Sequence, residues 1–234
     1  MKIAGLQKCT LLDYPGKVAC TVFLPGCNFR CPFCHNFELV ETPQPVMDDQ
    51  ELLTFLQKRQ GLLEGVCVTG GEPTLQPELP ALLRKIRELG FAVKLDTNGY
   101  RPDVLSSILD QGLVDYVAMD VKNGPEGYAA TCGLERLDLA KIEDSIRLLL
   151  ENKVDYELRT TVCTPLHDAQ NIQSMALWLQ KLSHKKAKRL FIQPFVDRDT
   201  VPFEGFSAPS GTDLAAFQSI LSAAVEQVAI RGVT

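Results

Sequence analysis

The chain has 234 residues, 45% of them hydrophobic and 23% charged, with a formal net charge of -5 at pH 7. This composition suits a globular chain with a sizeable core, and a single domain over residues 1–234 is expected. The acidic balance argues against nonspecific binding to nucleic acid or an anionic membrane. No apolar run approaches the roughly 20 residues that span a bilayer, and residues 1–8 lack the apolar segment of a secretory signal, so a cytoplasmic protein is expected.

In chain order, the first 16 residues close with the turn Asp13-Tyr14-Pro15-Gly16. A β-rich run over 18–24 reads as the first strand and empties into a loop at Pro25-Gly26. That loop, 25–37, carries Cys27, Cys31 and Cys34 as Cys-x3-Cys-x2-Cys, with Phe33 just before the last cysteine and His35-Asn36 after it. A helix is expected over 48–60 with Asp48 or Asp49 as N-cap. Strand and helix then alternate: a strand at 66–69 followed by Gly70-Gly71-Glu72-Pro73, a helix over 78–89 stopped by Gly90, and a strand over 91–97 ending in Asn98-Gly99. A helix over 102–111 stopped by Gly112 follows, then a strand over 114–121 and a loop holding Asn123-Gly124-Pro125. The pattern continues with a helix over 138–151, a strand over 154–162, a helix over 168–183, a strand over 189–195, and a last helix near 212–230. Six strand–helix units of this kind imply parallel strands with right-handed crossovers. They are too few for a complete eight-unit barrel. The expected fold is α/β, a partial (β/α)6 barrel with outer helices; an open doubly wound sheet is the alternative.

Successive strand residues face opposite ways. Lys94, Asp96 and Asn98 then share a face, as do Ala118, Asp120 and Lys122, and Glu157, Arg159 and Thr161. The opposite faces hold Val93 and Leu95, then Val117, Met119 and Val121, then Leu158, Thr160 and Val162. The apolar faces suit outer helices, so the charged faces point inward, where charges are costly unless paired or bound. Internal ion pairs, for instance Lys94 with Glu157, are one reading; a ligand-binding mouth at the strand ends is the other.

Three thiolates on so short a loop face one centre, and soft thiolates select zinc, copper or iron–sulfur. A Cys3His zinc site would need His35 as fourth ligand, but His35 adjoins Cys34, and both would have to turn onto one ion across a single peptide. A cubane cluster held by three cysteines leaves one iron open to a small molecule. The other five cysteines (Cys9, Cys20, Cys67, Cys132, Cys163) form no second close set and read as free thiols, Cys67 and Cys163 as core packing. His167 and His184 stand in no motif and read as surface residues.

The cysteine loop resembles that of the radical S-adenosylmethionine (SAM) enzymes, and Gly70-Gly71-Glu72-Pro73 is similar to that family's Gly-Gly-Glu-Pro segment. Leu12-Asp13-Tyr14-Pro15-Gly16-Lys17, residues 93–99, 117–122 and 157–162 narrow the resemblance to anaerobic ribonucleoside-triphosphate reductase activating proteins, a kind of glycyl-radical-enzyme activase. The resemblance implies a [4Fe-4S] cluster on Cys27, Cys31 and Cys34, with SAM on the open iron. An external donor, flavodoxin or ferredoxin, would reduce the cluster. Cleavage of SAM would give a 5′-deoxyadenosyl radical that takes a hydrogen from one glycine of a partner glycyl radical enzyme. It implies SAM contacts from Phe33, Gly70, Gly71, Glu72, Asp96, Asn98, Lys122 and Arg159. Lys122 would meet the carboxylate, and Arg159 the ribose or carboxylate. It also implies a monovalent cation at Asp96, Thr97, Ala118 and Asp120. No protein acid, base or nucleophile is required. Two departures from the related pyruvate formate-lyase activases stand out: Asp13-Tyr14-Pro15-Gly16 replaces their Asp-Gly-Pro-Gly, and Val196 stands where they have a histidine. The rival readings are a radical enzyme acting on a small molecule, such as a 7-deazaguanine precursor synthase, and a zinc-binding interaction protein.

Overall fold

The computed structural model describes residues 1–41 and 43–232. They gather into two compact units: residues 1–28, 38–97 and 101–118 in the first, and residues 29–37, 98–100 and 119 onward in the second.

The first unit opens with β1 (Lys2–Ile3) and β2 (Gly5–Thr10), then β3 (Ala19–Leu24). A two-residue strand, β4 (Met47–Asp48), pairs antiparallel with β1. Next come α1 (Asp49–Gln57), β5 (Gly65–Gly70), α2 (Leu79–Glu88), β6 (Ala92–Thr97) and α3 (Pro102–Asp110). β5 lies between β3 and β6 and is parallel to both, while β2 pairs antiparallel with β3. β2 carries no local strand signal, since Gly-Leu-Gln-Lys-Cys-Thr lacks a continuous apolar face. Its pairing is supplied by β3. Helix ends follow local chemistry. Asp48 caps α1 in a reciprocal capping box with Glu51, and Gly90 at φ +89° follows the last turn of α2. α2 buries Leu79, Leu82, Leu83 and Ile86, each contributing roughly 1.5–3 kcal/mol when removed from water.

β7 (Tyr116–Asp120) begins in the first unit and ends in the second. The second unit continues with α4 (Pro125–Thr131), α5 (Leu139–Glu151), β8 (Asp155–Val162), α6 (Ala169–Leu182), β9 (Ala187–Pro194), α7 (Gly211–Leu221) and β10 (Val225–Ile230). β9 is parallel to both β8 and β10. The six strand–helix alternations expected from sequence are present, and the fold is α/β with mostly parallel strands and outer helices. The last element differs. The helix expected to run to residue 230 stops at Leu221, and Val225–Ile230 is a strand. Ser222-Ala223-Ala224 turns the chain, and Glu157 (1% exposed) then receives both guanidinium nitrogens of Arg231 at 2.8 Å, just past β10. That long-range pairing, invisible to local periodicity, favours the strand. A short helix, α4, was also not anticipated, although Pro125 at its first position is an N-terminal signal.

The apolar strand faces are buried as expected: Val93, Leu95, Val117, Met119, Leu158 and Val162 are all 0% exposed. The opposite faces are also largely covered, and their charges meet partners, Lys94 with Asp96 and Glu157 with Arg231.

Candidate active site

In the first unit, the turn after β5 is shaped by close backbone approach. Gly70 has φ +134°, and a Cβ there would lie 2.2 Å from the Leu24 carbonyl oxygen; at Gly71 it would lie 2.1 Å from the Gly26 oxygen. Only glycine fits such contacts. The Gly71 N–H donates to Leu24 O at 2.9 Å, and the Glu72 N–H to Gly26 O at 2.7 Å. The two glycines therefore fix the chain that leads into Cys27. The Glu72 carboxylate, 1% exposed, accepts from the Thr74 N–H at 3.1 Å, the Thr74 hydroxyl at 2.5 Å and the Thr97 hydroxyl at 2.7 Å. It ties the end of β6 to the turn after β5.

The other candidates in this unit are also engaged. Asp96 forms an ion pair with the buried Lys94 and accepts from the Cys67 thiol. The Ala118 methyl packs in an apolar cluster with Tyr14, Ala19 and Tyr116.

In the second unit, the candidates converge on charge. Asp120 Oδ2 receives Lys122 Nζ and Oδ1 receives Arg159 Nε, both at 2.9 Å. Burial pushes the Asp120 carboxyl up, but the two cations outweigh it and hold it at about 2. Burial opposes the Lys122 charge, yet Asp120 and Cys31 raise its pKa above the usual lysine value. Cys31 and Cys34 share a turn closed by the Cys34 N–H on Cys31 O at 3.1 Å. A hydrogen bond with the Cys132 thiol lowers the Cys31 pKa to about 7 against burial, and the Lys122 charge adds to the effect. At Cys34 burial dominates and the thiol is raised. Phe33 is buried, edge-on to His167 and Phe206. The Asn98 side-chain oxygen accepts from the Tyr100 N–H at 3.0 Å, closing its own turn.

A family model for the radical SAM superfamily matches residues 21–182. The chain belongs to that superfamily. A protein of Methanocaldococcus jannaschii, provisionally assigned as a glycyl-radical enzyme activating enzyme, is 30% identical over 98% of this chain and 95% of its own length. The 7-carboxy-7-deazaguanine synthase of Thermococcus kodakarensis is 28% identical over 76% of this chain and 75% of its own. Among solved structures, a domain of a pyruvate-formate lyase-activating enzyme from Bacteroides vulgatus superposes with TM-score 0.58 at 22% identity, covering 72% of this chain and 99% of that one. This last likeness speaks to fold alone.

This radical SAM enzyme uses residues that its motifs do not flag. Cys132 is fully buried at the end of α4, and its carbonyl accepts from the Arg30 N–H at 2.8 Å. Gly133, at φ +67°, packs so tightly that a Cβ would lie 2.1 Å from Arg30 O. Segment 132–133 thus braces the cysteine loop. His167, expected at the surface, is 3% exposed: Nε2 lies 2.7 Å from the Lys122 carbonyl, and Nδ1 accepts from the Cys163 N–H at 3.1 Å. Asn123 joins this support, donating to the Thr131 hydroxyl and the Leu166 carbonyl. None of these residues stands in a motif, because what they do is hold backbone in place, and that depends on tertiary contact. Among the described residues, no three His, Cys, Asp or Glu side chains are arranged as a metal site, and no helix is long and apolar enough to cross a membrane.

Proposed function

We propose that this chain is a glycyl-radical-enzyme activase whose partner is an anaerobic ribonucleoside-triphosphate reductase, and that it works as one radical SAM domain in the cytoplasm. The observation that carries the activase reading is the near end-to-end similarity to the M. jannaschii protein. The resemblance of Leu12–Lys17 and the strand-end segments to reductase activases supports the choice of partner.

The donor set fits a [4Fe-4S] cluster. Cys31 titrates near neutrality, and the fixed ammonium of Lys122 offsets thiolate charge. In this reading Cys27, Cys31 and Cys34 hold the cluster. With SAM bound, the pair supplies one-electron cleavage of the sulfonium and a carbon radical that takes a glycine hydrogen. The protein's share is binding and orientation. Lys122 and Arg159 recognise the SAM carboxylate and ribose. The turn of Gly70, Gly71 and Glu72 presents backbone to the ammonium. Phe33, Asp96 and Asn98 complete the contacts. A monovalent cation at Asp96, Thr97, Ala118 and Asp120 would have to compete with Lys94, Lys122 and Arg159, which already hold the two carboxylates. Flavodoxin or ferredoxin serves as electron donor.

A second reading, a radical enzyme on a 7-deazaguanine precursor, is supported by the T. kodakarensis synthase. One anaerobic experiment separates the two. The protein is reconstituted with iron and sulfide, reduced, and given SAM with either the reductase or the deazaguanine precursor. The activase reading expects a glycyl radical signal on the reductase and 5′-deoxyadenosine, with neither in Cys31→Ala. Turnover coupled to the precursor, without a protein radical, would establish the rival.

A further inference from the structure

The geometry points to Cys31 and Cys132 as a reversible disulfide site, formed when the chain lacks its cluster and meets a peroxide. The two residues lie 101 positions apart in sequence but adjoin in the fold. Arg30 N–H donates to Cys132 O at 2.8 Å, and Gly133 abuts Arg30 O so closely that no side chain fits. Of the groups around Cys31, the Cys132 thiol acts on it most strongly, lowering its pKa. Cys132 caps the end of α4, its N–H bonded to the Tyr128, Ala129 and Ala130 carbonyls. α4 in turn is pinned by Asn123 on Thr131. This holds the second thiol against the first without a long search. Cys31 is 7% exposed and Cys132 is not exposed at all, so a small oxidant reaches Cys31 first and Cys132 is the resolving thiol.

The chemistry balances with peroxide as the named oxidant. The Cys31 sulfur attacks one peroxide oxygen, the O–O bond breaks, and a sulfenic acid forms as hydroxide leaves and takes the thiol proton to become water. The Cys132 sulfur then attacks the Cys31 sulfur, the S–O bond breaks, and hydroxide leaves with the second thiol proton as water. Two thiols are oxidised to one disulfide, and one peroxide is reduced to two waters. The Cys31 sulfur is thereby spared the irreversible higher oxides, and any thiol reductant restores both groups. The disulfide rests on the packing of segment 132–133 against Arg30 and on the neighbouring thiols. Its consequence, loss of a cluster ligand until reduction, rests on the assignment of Cys31 as a ligand.

The test uses the full-length, cluster-free protein. It is treated with one equivalent of hydrogen peroxide, its remaining thiols are alkylated, and it is digested for peptide mass mapping. The expected product is a peptide pair linked through Cys31 and Cys132, with Cys27 and Cys34 alkylated. In Cys132→Ser the linked pair is lost, and excess peroxide, about two or three equivalents per thiol, carries Cys31 on to sulfinic or sulfonic acid. Pairing of Cys31 with Cys27 or Cys34, or a Cys132 that stays fully alkylated in the native chain, would overturn the site. Cys132→Ala repeats the comparison should the serine variant fold poorly. Iron and sulfide are then offered to the oxidised protein before and after dithiothreitol. Uptake only after reduction is expected. Equal uptake before reduction would overturn the switch if Cys31→Ala takes up no cluster; if that variant also forms a cluster, the ligand assignment has failed instead.

Discussion

The turn after β5 and the end of β7 carry the two most motif-like stretches outside the cysteine loop, and they are built in opposite ways. At Gly70-Gly71-Glu72 every unusual residue has a structural explanation on the spot. The glycines make room for the backbone entering the cysteine loop, and the glutamate satisfies three donors. At Asp120-Lys122 with Arg159, two cations share one carboxylate in a half-buried setting beside Cys31 and Cys34. Packing does not call for that excess of positive charge, and an apolar trio would be cheaper to bury. A motif explained by packing shows where a loop must be held. A charge cluster that packing does not need points to a bound anion.

The largest effect should follow removal of the shared carboxylate. Asp120→Asn leaves Lys122 and Arg159 without their common anion, and breaking such a pair costs about 3 kcal/mol or more. The thermal midpoint should fall, and SAM binding, read by equilibrium dialysis, should weaken with it. Asp120→Asn combined with Lys122→Gln should recover part of the stability, because one of the two stranded charges is gone, but none of the SAM affinity. A double variant that loses the sum of the two single losses would show that the charges act independently, and the contrast drawn above would fail. Acid acts in the same direction. Asp120 has a depressed folded pKa, so its contribution is complete above the ordinary aspartate value and is lost as pH falls toward about 2.

Gly71→Ala probes the other region. Its Cβ would meet the Gly26 oxygen at 2.1 Å, so the chain must shift at the entrance to the cysteine loop. Overpacking of this kind costs about 1–3 kcal/mol. Denaturant unfolding should show the loss, while the pH dependence of Cys31 alkylation, set within the second unit, should stay where it is. A large movement in Cys31 reactivity with unchanged stability would reverse the roles assigned to the two regions.

Much of this was legible in the sequence because it is local. Alternation placed Val93, Leu95, Val117 and Met119 in the core. Gly90 and Gly112 marked helix ends, and the pair Asp48-Asp49 marked a helix start, with Asp48 the cap in the structure. The charged strand faces were visible as residue types, but their partners were not: Glu157 meets Arg231, which lies 74 residues away beyond a strand that local spacing made look helical. Cys132 and His167 escaped for the same reason. A buried cysteine at a helix end and a histidine outside any motif look ordinary until the backbone they support is known.

The smallest effect concerns that histidine. His167 sits between the Lys122 carbonyl and the Cys163 N–H, an arrangement that suits the neutral ring with its proton on Nε2. Burial pushes its pKa below the usual 6.5. As pH falls through 6.5 the unfolded chain takes up a proton that the folded chain refuses. Stability should therefore decline on the acid side by at most about 1.4 kcal/mol per pH unit for this one group. The decline should end once the folded pKa is passed. His167→Gln keeps a donor and an acceptor but cannot titrate, so its stability between pH 6.5 and the depressed folded value should run flatter than that of the native chain. Because the ring supports the backbone of Lys122 and not its charge, the variant should bind SAM with little change. Parallel stability curves for the two proteins would show that the histidine is not held neutral. A SAM affinity that falls as far as in Asp120→Asn would place His167 in the charge cluster itself, and the division between supporting and binding residues in the second unit would have to be redrawn.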